Sequence, residues 1–266
     1  DVAQKKKGGT EERRKGGRRQ DRTDDTARQT YNPGRSPVLT PSLLLLLLLG
    51  APAPQDVAPD GAGIAFERRR LSDVFFSEGA NTADFDRDGH GDVVSGPYWY
   101  AGPDFERRHA VYGPEAFDPA RYSDNFFAWP RDFDGDGWTD VLFVGFPGKE
   151  AAWYRNPGKP DQPWQRHLAF SEVDNESPAF VDLTGDGAPE LVFHTRGIFG
   201  WAAPDAANPT APWAFRAFGD PMEIGRFTHG LGVGDVDGDG LLDVVTGKRW
   251  WSHGAQIGRA TCRERV

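Results

Sequence analysis

The chain has 266 residues and a net charge of −9, and it contains 33 Gly, 21 Pro, 18 Phe and 9 Trp but a single Cys. This composition is typical of a turn-rich β protein with aromatic packing and argues against a long helical bundle. The charge is uneven, because residues 1–37 carry +5 and residues 255–266 carry +2, which leaves −16 on the residues between them. An acidic domain repels nucleic-acid phosphates and attracts cations, so we expect no nucleic-acid partner.

The two ends of the chain differ from its centre. Residues 1–37 are polar and lack periodicity, so we expect a disordered basic segment read through from upstream of the true start. Residues 38–54 contain seven consecutive leucines followed by small residues, which predicts a signal peptide and export to the periplasm, cell surface or exterior. Such a run is too short to span a bilayer, which takes about 20 apolar residues. Residues 253–266 include a stretch similar to a translated sequencing adapter, so we expect a non-native tail and further domains in the full-length chain.

A nine-residue acidic segment recurs four times, with first residues 48, 50 and 53 positions apart. A short β-rich run and one or two tryptophans follow each copy. This spacing is typical of a four-stranded propeller blade of about 40–50 residues. For residues 55–252 the pattern predicts an all-β β-propeller with at least four blades of four-stranded antiparallel sheet, arranged as an incomplete ring.

The acidic segments have the chemistry of a hard-cation site. Carboxylates at alternate positions of a tight loop converge on one centre, the residue at position 7 can add a backbone carbonyl, and glycine at position 6 permits a positive φ. The pattern therefore predicts Ca²⁺ sites. The predicted ligand residues, at positions 1, 3, 5, 7 and 9 of each copy, are Asp84, Asp86, Asp88, His90 and Asp92; Asp132, Asp134, Asp136, Trp138 and Asp140; Asp182, Thr184, Asp186, Ala188 and Glu190; and Asp235, Asp237, Asp239, Leu241 and Asp243.

Two other interpretations apply to these segments. An EF-hand requires Glu at position 12 and flanking helices, but position 12 is Ser95, Phe143, Phe193 or Thr246 and the flanks are β-branched and aromatic. The second alternative is a set of Asx-turns that only solvate hairpin ends, which four regularly spaced copies disfavour. Because Thr184 replaces an Asp in the third copy, we expect that site to bind a cation most weakly.

Several linking segments also carry a family resemblance. They are SEGANTADFD at 77–86, SGPYWYAGP at 95–103, YSDNFF at 122–127, VGFPGK at 144–149, DNESP at 174–178 and THGLGVGD at 228–235. With the acidic loops, they make the chain similar to FG-GAP/VCBS repeat proteins, especially exported ones of planctomycete-type bacteria. The resemblance implies a secreted calcium-binding propeller, a kind of module often appended to sugar-active or other secreted enzymes.

No catalytic or organic-cofactor site follows from the sequence. The six histidines are scattered, and His109 and His167 occupy equivalent blade positions, which favours a repeated structural role. The polar connections 123–125 and 174–177 are candidates without a mechanism. Recurrent tryptophans favour packing between blades over sugar stacking, and Trp138 is the best candidate for an exposed platform.

Two classes of function remain open. The preferred one is a module without catalytic activity that binds carbohydrate or protein. The alternative is part of a secreted sugar-active enzyme, a lyase, dehydratase or hydrolase, whose catalytic part is missing or sits on blade loops. The absence of a convergent set of acid, base and metal groups beyond the acidic loops favours the binding module.

Overall fold

The computed structural model describes residues 66–252. The predicted basic segment, signal peptide and adapter-like tail lie outside the described residues. The described residues from 67 onward belong to one compact unit. Within the described part the secondary structure consists of β-strands without a helix, which confirms the all-β prediction. Among residues 66–252 there is no helix with the length and apolarity needed to cross a membrane.

The strands form antiparallel sheets in which neighbours in the chain are neighbours in space. The strands are β1 Ala80–Ala83, β2 Asp92–Ser95, β3 Tyr98–Tyr100, β4 Arg108–Ala110, β5 Phe127–Arg131, β6 Asp140–Val144, β7 Lys149–Arg155, β8 Gln165–Val181, β9 Glu190–Thr195, β10 Ile198–Ala203, β11 Ala214–Ala217, β12 Gly232–Gly234, β13 Asp243–Val245 and β14 Trp250–Trp251.

The long strand β8 belongs to two successive blades. Its residues 165–173 pair with β7, whereas residues 174–181 pair with β9, with irregular register between them. We therefore define blade 1 as β1–β4, blade 2 as β5 to residue 173, blade 3 as residue 174 to β11, and blade 4 as β12–β14. Blades 1 to 3 have the predicted four strands, and blade 4 shows three within the described residues. No closed ring forms among residues 66–252.

The apolar core is divided into three clusters, each between two consecutive blades. One tryptophan of the second hairpin anchors each cluster: Trp99 between blades 1 and 2, Trp153 between blades 2 and 3, and Trp201 between blades 3 and 4. At about 25 cal/mol per Å² and about 200 Å² of buried surface, each such ring stabilises the fold by about 5 kcal/mol at most. The prediction that the recurrent tryptophans pack between blades is confirmed.

Candidate metal centres

The four acidic segments form the turns between the first two strands of successive blades. They lie between β1 and β2, β5 and β6, β8 and β9, and β12 and β13, and we call them loops 1 to 4. Strands flank every loop, so the EF-hand interpretation is excluded. The predicted order of strand, acidic turn and strand is confirmed.

Each loop is shaped by the same two side-chain hydrogen bonds. The Asp at position 1 accepts the N–H of the glycine at position 6 over 2.8 to 3.0 Å. The Asp at position 5 accepts the N–H of position 7 over 2.8 to 2.9 Å. The glycines at position 6 have φ of 85 to 88°, as the sequence predicts. Asx-turn bonds are therefore part of the loop fold itself.

Position 4 also has a positive φ, which the sequence interpretation missed. Gly135, Gly185 and Gly238 adopt φ of 75 to 78° there, and Arg87 adopts 61° in loop 1. A residue with a Cβ is destabilised by about 1–2 kcal/mol in this left-handed region of backbone conformation. The signal was available, because glycine occupies this position in three of the four copies.

Three carboxylates in each loop converge, with ligand oxygens within 4.8 Å of one another. The trios are Asp84, Asp86 and Asp92; Asp132, Asp134 and Asp136; Asp182, Asp186 and Glu190; and Asp235, Asp237 and Asp239. Position 1 contributes in every loop, and the other members come from positions 3, 5 and 9. Oxygen atoms of carboxylates are the ligands that hard cations such as Ca²⁺ prefer. Of the other predicted carboxylates, Asp88, Asp140 and Asp243 lie outside these trios.

The acid at position 9 braces its loop against the sheet. Asp92, Asp140 and Asp243 are fully buried, and Glu190 is nearly so. In every loop one oxygen of this acid accepts the backbone N–H of position 2 over 2.7 to 2.9 Å. In loops 1 and 2 its other oxygen accepts an N–H just after the third strand. These bonds give position 9 a structural role that does not depend on a cation.

Burial also changes the acidity of these groups. Desolvation raises the pKa of Asp140 to about 7, against the opposing effect of its two backbone donors. The pKa of Asp92 and of Glu190 is raised for the same reason. A cation in the loop would favour the charged carboxylate and oppose these shifts.

Trp138 is not the exposed platform that the sequence suggests. Its ring is half-buried, with the Arg87 guanidinium carbon 4.3 Å from the ring centroid. The ring lies so close to Gly158 that a Cβ there would be 2.5 Å from it. Trp138 therefore packs loop 2 between loop 1 and its own blade, and the expectation of an exposed stacking surface is wrong. The other residues at position 7 are His90, Ala188 and Leu241, of which Ala188 is half-buried and the other two are exposed.

In loop 2 the positively charged side chain of Arg155 pairs with two of the carboxylates. The Arg155 side chain lies 2.5 Å from Asp134 and 2.9 Å from Asp136. The pKa of Arg155 is raised, mainly by the charge of Asp134. Strand register places Ala101, Ala203 and Ser252 at the equivalent position of the other blades. The sequence interpretation missed Arg155, although an alignment of the four repeats would have revealed the difference.

Loop 3 has Thr184 at position 3, where each of the other loops has an Asp, so a hydroxyl takes the place of a carboxylate. Thr184 donates a hydrogen bond from Oγ1 to Glu190 Oε1 over 3.0 Å. The carboxylate trio there uses Asp182, Asp186 and Glu190 instead of a residue at position 3. Weakest cation binding at this loop stays a prediction.

The two histidines at equivalent positions have the same structural role. His109 is paired with Trp99 and His167 with Trp153 across neighbouring strands. The imidazole and indole centroids are 4.4 and 4.5 Å apart, at interplanar angles of 26 and 27°. The prediction of a repeated structural role is confirmed. In blade 3 the guanidinium of Arg216 lies over the corresponding tryptophan.

The polar connections join neighbouring blades. Ser123 donates hydrogen bonds from its backbone N–H and its hydroxyl to the carboxylate of Glu78. The Asn175 N–H donates a hydrogen bond to the Arg226 carbonyl over 2.7 Å. The predicted segments 123–125 and 174–177 therefore hold the blades together at the ends opposite the acidic loops.

Comparison with known proteins agrees with the repeat assignment. Residues 132–193 match the FG-GAP-like repeat family. This segment begins at the first Asp of loop 2 and continues through loop 3 into β9. Together with the blade-like antiparallel sheets, the match identifies a β-propeller-type repeat module. No curated protein matches the chain.

One solved structure with some similarity is a Tc holotoxin pore of Photorhabdus luminescens carrying the TccC3 D651A mutation. The two chains share 16% sequence identity with a TM-score of 0.37. The match covers 66% of this chain and 8% of the toxin chain.

Proposed function

We propose that the chain is an exported calcium-binding β-propeller module that acts in carbohydrate or protein binding. The observation that supports it is the fourfold acidic loop, in which three carboxylates converge within 4.8 Å at the same turn of each blade. The cation would join the two strands that meet at that turn. A turn that carries two or three negative charges is destabilised by their repulsion unless a cation compensates for it.

The donor set favours calcium over softer metals. The four trios contain only Asp and Glu, whereas zinc sites use Cys and His as well. The loops also offer the backbone carbonyl at position 7, which is a common ligand of Ca²⁺ but rarely of Mg²⁺. Calcium tolerates six to eight oxygens in flexible geometry, which suits four loops that are not identical in sequence.

Calorimetric titration of the metal-stripped protein with Ca²⁺ tests this proposal. We expect heat of binding and a higher melting temperature in calcium than in chelator, because a ligand that binds the folded state stabilises it. The double variant Asp132→Ala/Asp134→Ala should remove one site of the set. Asp220→Ala, which removes an exposed acid outside the loops, is the matched control and should change nothing. Absence of heat together with an unchanged melting temperature would refute calcium binding.

Export is proposed on separate grounds. The leucine run within residues 38–54 supports a signal peptide, and stabilisation by metal instead of disulfides suits a domain without cysteine in the described residues. Cell fractionation of the expressed full-length chain tests it, since retention in the cytoplasm with an uncleaved leader would contradict export. The planctomycete-type subgroup and the adapter-like tail stay predictions.

A further inference from the structure

An exposed aromatic cluster lies on blade 2 at the end opposite its acidic loop. We call it the aromatic face and define it as Tyr122, Phe126, Phe146 and Phe227. Phe146 is its centre, with ring centroids 5.8 Å from Tyr122, 5.6 Å from Phe126 and 5.4 Å from Phe227. Tyr122 is 68% exposed and Phe227 48% exposed. Large aromatic rings that stay in water are costly and often mark a binding surface.

The topology explains why the face is remote from the acidic loops. Strands β5 and β6 are antiparallel, and their paired ends Arg131 and Asp140 border loop 2. Phe127 and Val144 form the other pair of ends, next to the β6–β7 turn at residues 145–148. Phe146 lies in this turn, so the aromatic face and loop 2 are on opposite ends of one blade.

Charged side chains are held in place around the rings. The Asp124 carboxylate accepts the backbone N–H of Phe146 through Oδ1 over 3.0 Å. A Cβ on Gly145 would lie 2.7 Å from that oxygen, so the glycine leaves room for the carboxylate here. The Nζ of Lys149 lies 3.8 Å from the other oxygen of Asp124. A donor and an acceptor thus lie beside the central ring.

A second cation approaches the same turn from the connection between blades 3 and 4. The Arg226 guanidinium lies against Gly148, where a Cβ would be 2.4 Å from its nitrogen. Gly148 has φ of 90°, so the turn requires glycine for its backbone as well. Phe227 follows Arg226 directly, and the same connection therefore supplies both a ring and a donor.

One open cavity is lined by Tyr122 and Phe146, and a second cavity adjoins it. Their volumes are about 520 and 490 Å³, and the shared lining residues are Phe117, Asp124 and Lys149. Volumes of this size are typical of sites for small molecules. The lining includes three acids and three bases: Glu115, Asp124, Glu150, Arg121, Lys149 and Arg166. The charge of the cavity walls is therefore balanced.

We propose that the aromatic face binds a neutral carbohydrate. Sugar rings present C–H faces that stack on aromatic rings, and Tyr122 and Phe227 offer exposed ones. Each hydroxyl is both a donor and an acceptor, which matches paired carboxylates and cations better than a surface of one charge. Balanced walls on a strongly acidic domain give no attraction for an anionic polymer. This inference rests on the binding role proposed above and specifies its ligand and its place.

A protein partner fits these features less well. The central buried part of a protein interface is depleted of charged residues, with polar groups at the rim. Here Asp124 contacts the backbone of the central aromatic residue itself, and Lys149 accompanies it. Two of the rings, Tyr122 and Phe146, also line an open cavity. A polar ligand that enters this cavity and stacks on the rings accounts for both observations.

Affinity electrophoresis of the full chain in calcium buffer tests the proposal. The gels contain one of three neutral polysaccharides (galactomannan, xyloglucan and β-1,3-glucan) or one of two uronate polymers (polygalacturonate and alginate). We expect retardation by at least one neutral polymer and none by the uronates. Tyr122→Ala and Phe227→Ala should each weaken the retarding interaction by about tenfold, the usual effect of losing one stacked ring. Val74→Ala, which changes an exposed apolar residue outside both the aromatic face and the acidic loops, is the matched control and should bind as the wild type.

The outcomes separate this site from the calcium proposal. Retardation that survives in both ring variants would overturn the aromatic face as the site. Retardation by uronate polymers alone, or by none of the five, would overturn a neutral carbohydrate as the ligand. Calcium titration of the same samples is an independent readout, because loop 2 lies at the other end of the blade. Circular dichroism of each variant excludes unfolding as the cause of a loss.

Discussion

Arg155→Ala should increase the calcium affinity of loop 2. In the wild type, the guanidinium neutralises the carboxylates of Asp134 and Asp136, which belong to the trio of this loop. A calcium ion that binds these oxygens must displace Arg155 from them or share them with Arg155. Alanine is the residue that blades 1 and 3 have at the equivalent position, so the fold accommodates it.

The expected size of the effect follows from the exposure of the ion pairs. The Arg155 side chain is 43% exposed, whereas Asp134 is 10% and Asp136 25% exposed. Exposed or partly exposed ion pairs contribute about 0.2–1 kcal/mol each. When both ion pairs are removed, the free energy of calcium binding at loop 2 should become more favourable by about 1.4 kcal/mol, which is a tenfold increase in affinity. Repulsion between the guanidinium and the divalent ion acts in the same direction.

Terbium luminescence can report on this loop selectively. Tb³⁺ occupies oxygen sites of calcium, and Trp138 within loop 2 can sensitise its emission. Displacement of Tb³⁺ by Ca²⁺ then gives the affinity of the loop in wild type and variant. Arg166→Ala removes another arginine of blade 2, one that pairs with Glu150 away from the loop, and is the matched control.

Three further variants separate the roles of loop, core and histidine. Asp140→Asn should lower the free energy of unfolding by about 1–3 kcal/mol even in chelator, because an amide cannot accept both of its backbone hydrogen bonds; a loss seen only in calcium would contradict the bracing role. Gly200→Ala should lower the free energy of unfolding, measured by urea titration, by about 1–3 kcal/mol, because its Cβ would lie 2.3 Å from the Arg216 carbonyl oxygen. In the control Gly113→Ala the added Cβ meets open space, so the free energy of unfolding should not change. Burial lowers the pKa of His194 below its usual 6.5, so the unfolded chain takes up a proton first, and the contribution of His194 to stability should fall as the pH drops below 6.5, by at most about 1.4 kcal/mol per pH unit. The buried acids with a raised pKa act in the opposite direction over this range. The test is therefore the difference between the two proteins: the wild type should lose more stability on acidification than His194→Leu, and identical pH profiles would disprove the assignment.

For Arg155→Ala, an unchanged or weaker affinity would refute the reasoning, since it would mean that the arginine shapes the loop instead of competing with the ion. The triple variant Arg155→Ala/Asp132→Ala/Asp134→Ala adds a check by calorimetry. The triple variant should not show the increase in calcium affinity, because that increase belongs to loop 2 alone. An increase that persists in the triple variant would mean that another loop causes it.

The sequence alone determined the parts of this protein that depend on local pattern. Four acidic segments at a regular spacing predicted the turns, and alternating β-rich runs predicted the strands around them. Equivalent positions of His109 and His167 predicted a shared role, because repeats place the same residue in the same environment. Glycine at position 6 predicted a positive φ, since the conformation of a tight turn is set within a few residues.

The tertiary structure decided which distant side chains meet. Trp138 is covered by Arg87, which lies in the loop of another blade, so its exposure could not be predicted from its own segment. Arg155 reaches loop 2 from the end of the third strand, across a hairpin whose register places it there. The aromatic face combines Tyr122, Phe146 and Phe227 from three separate connections. Local pattern determines strands and turns, whereas contacts between blades depend on how the sheets pack, and that packing is decided by burial over the whole chain.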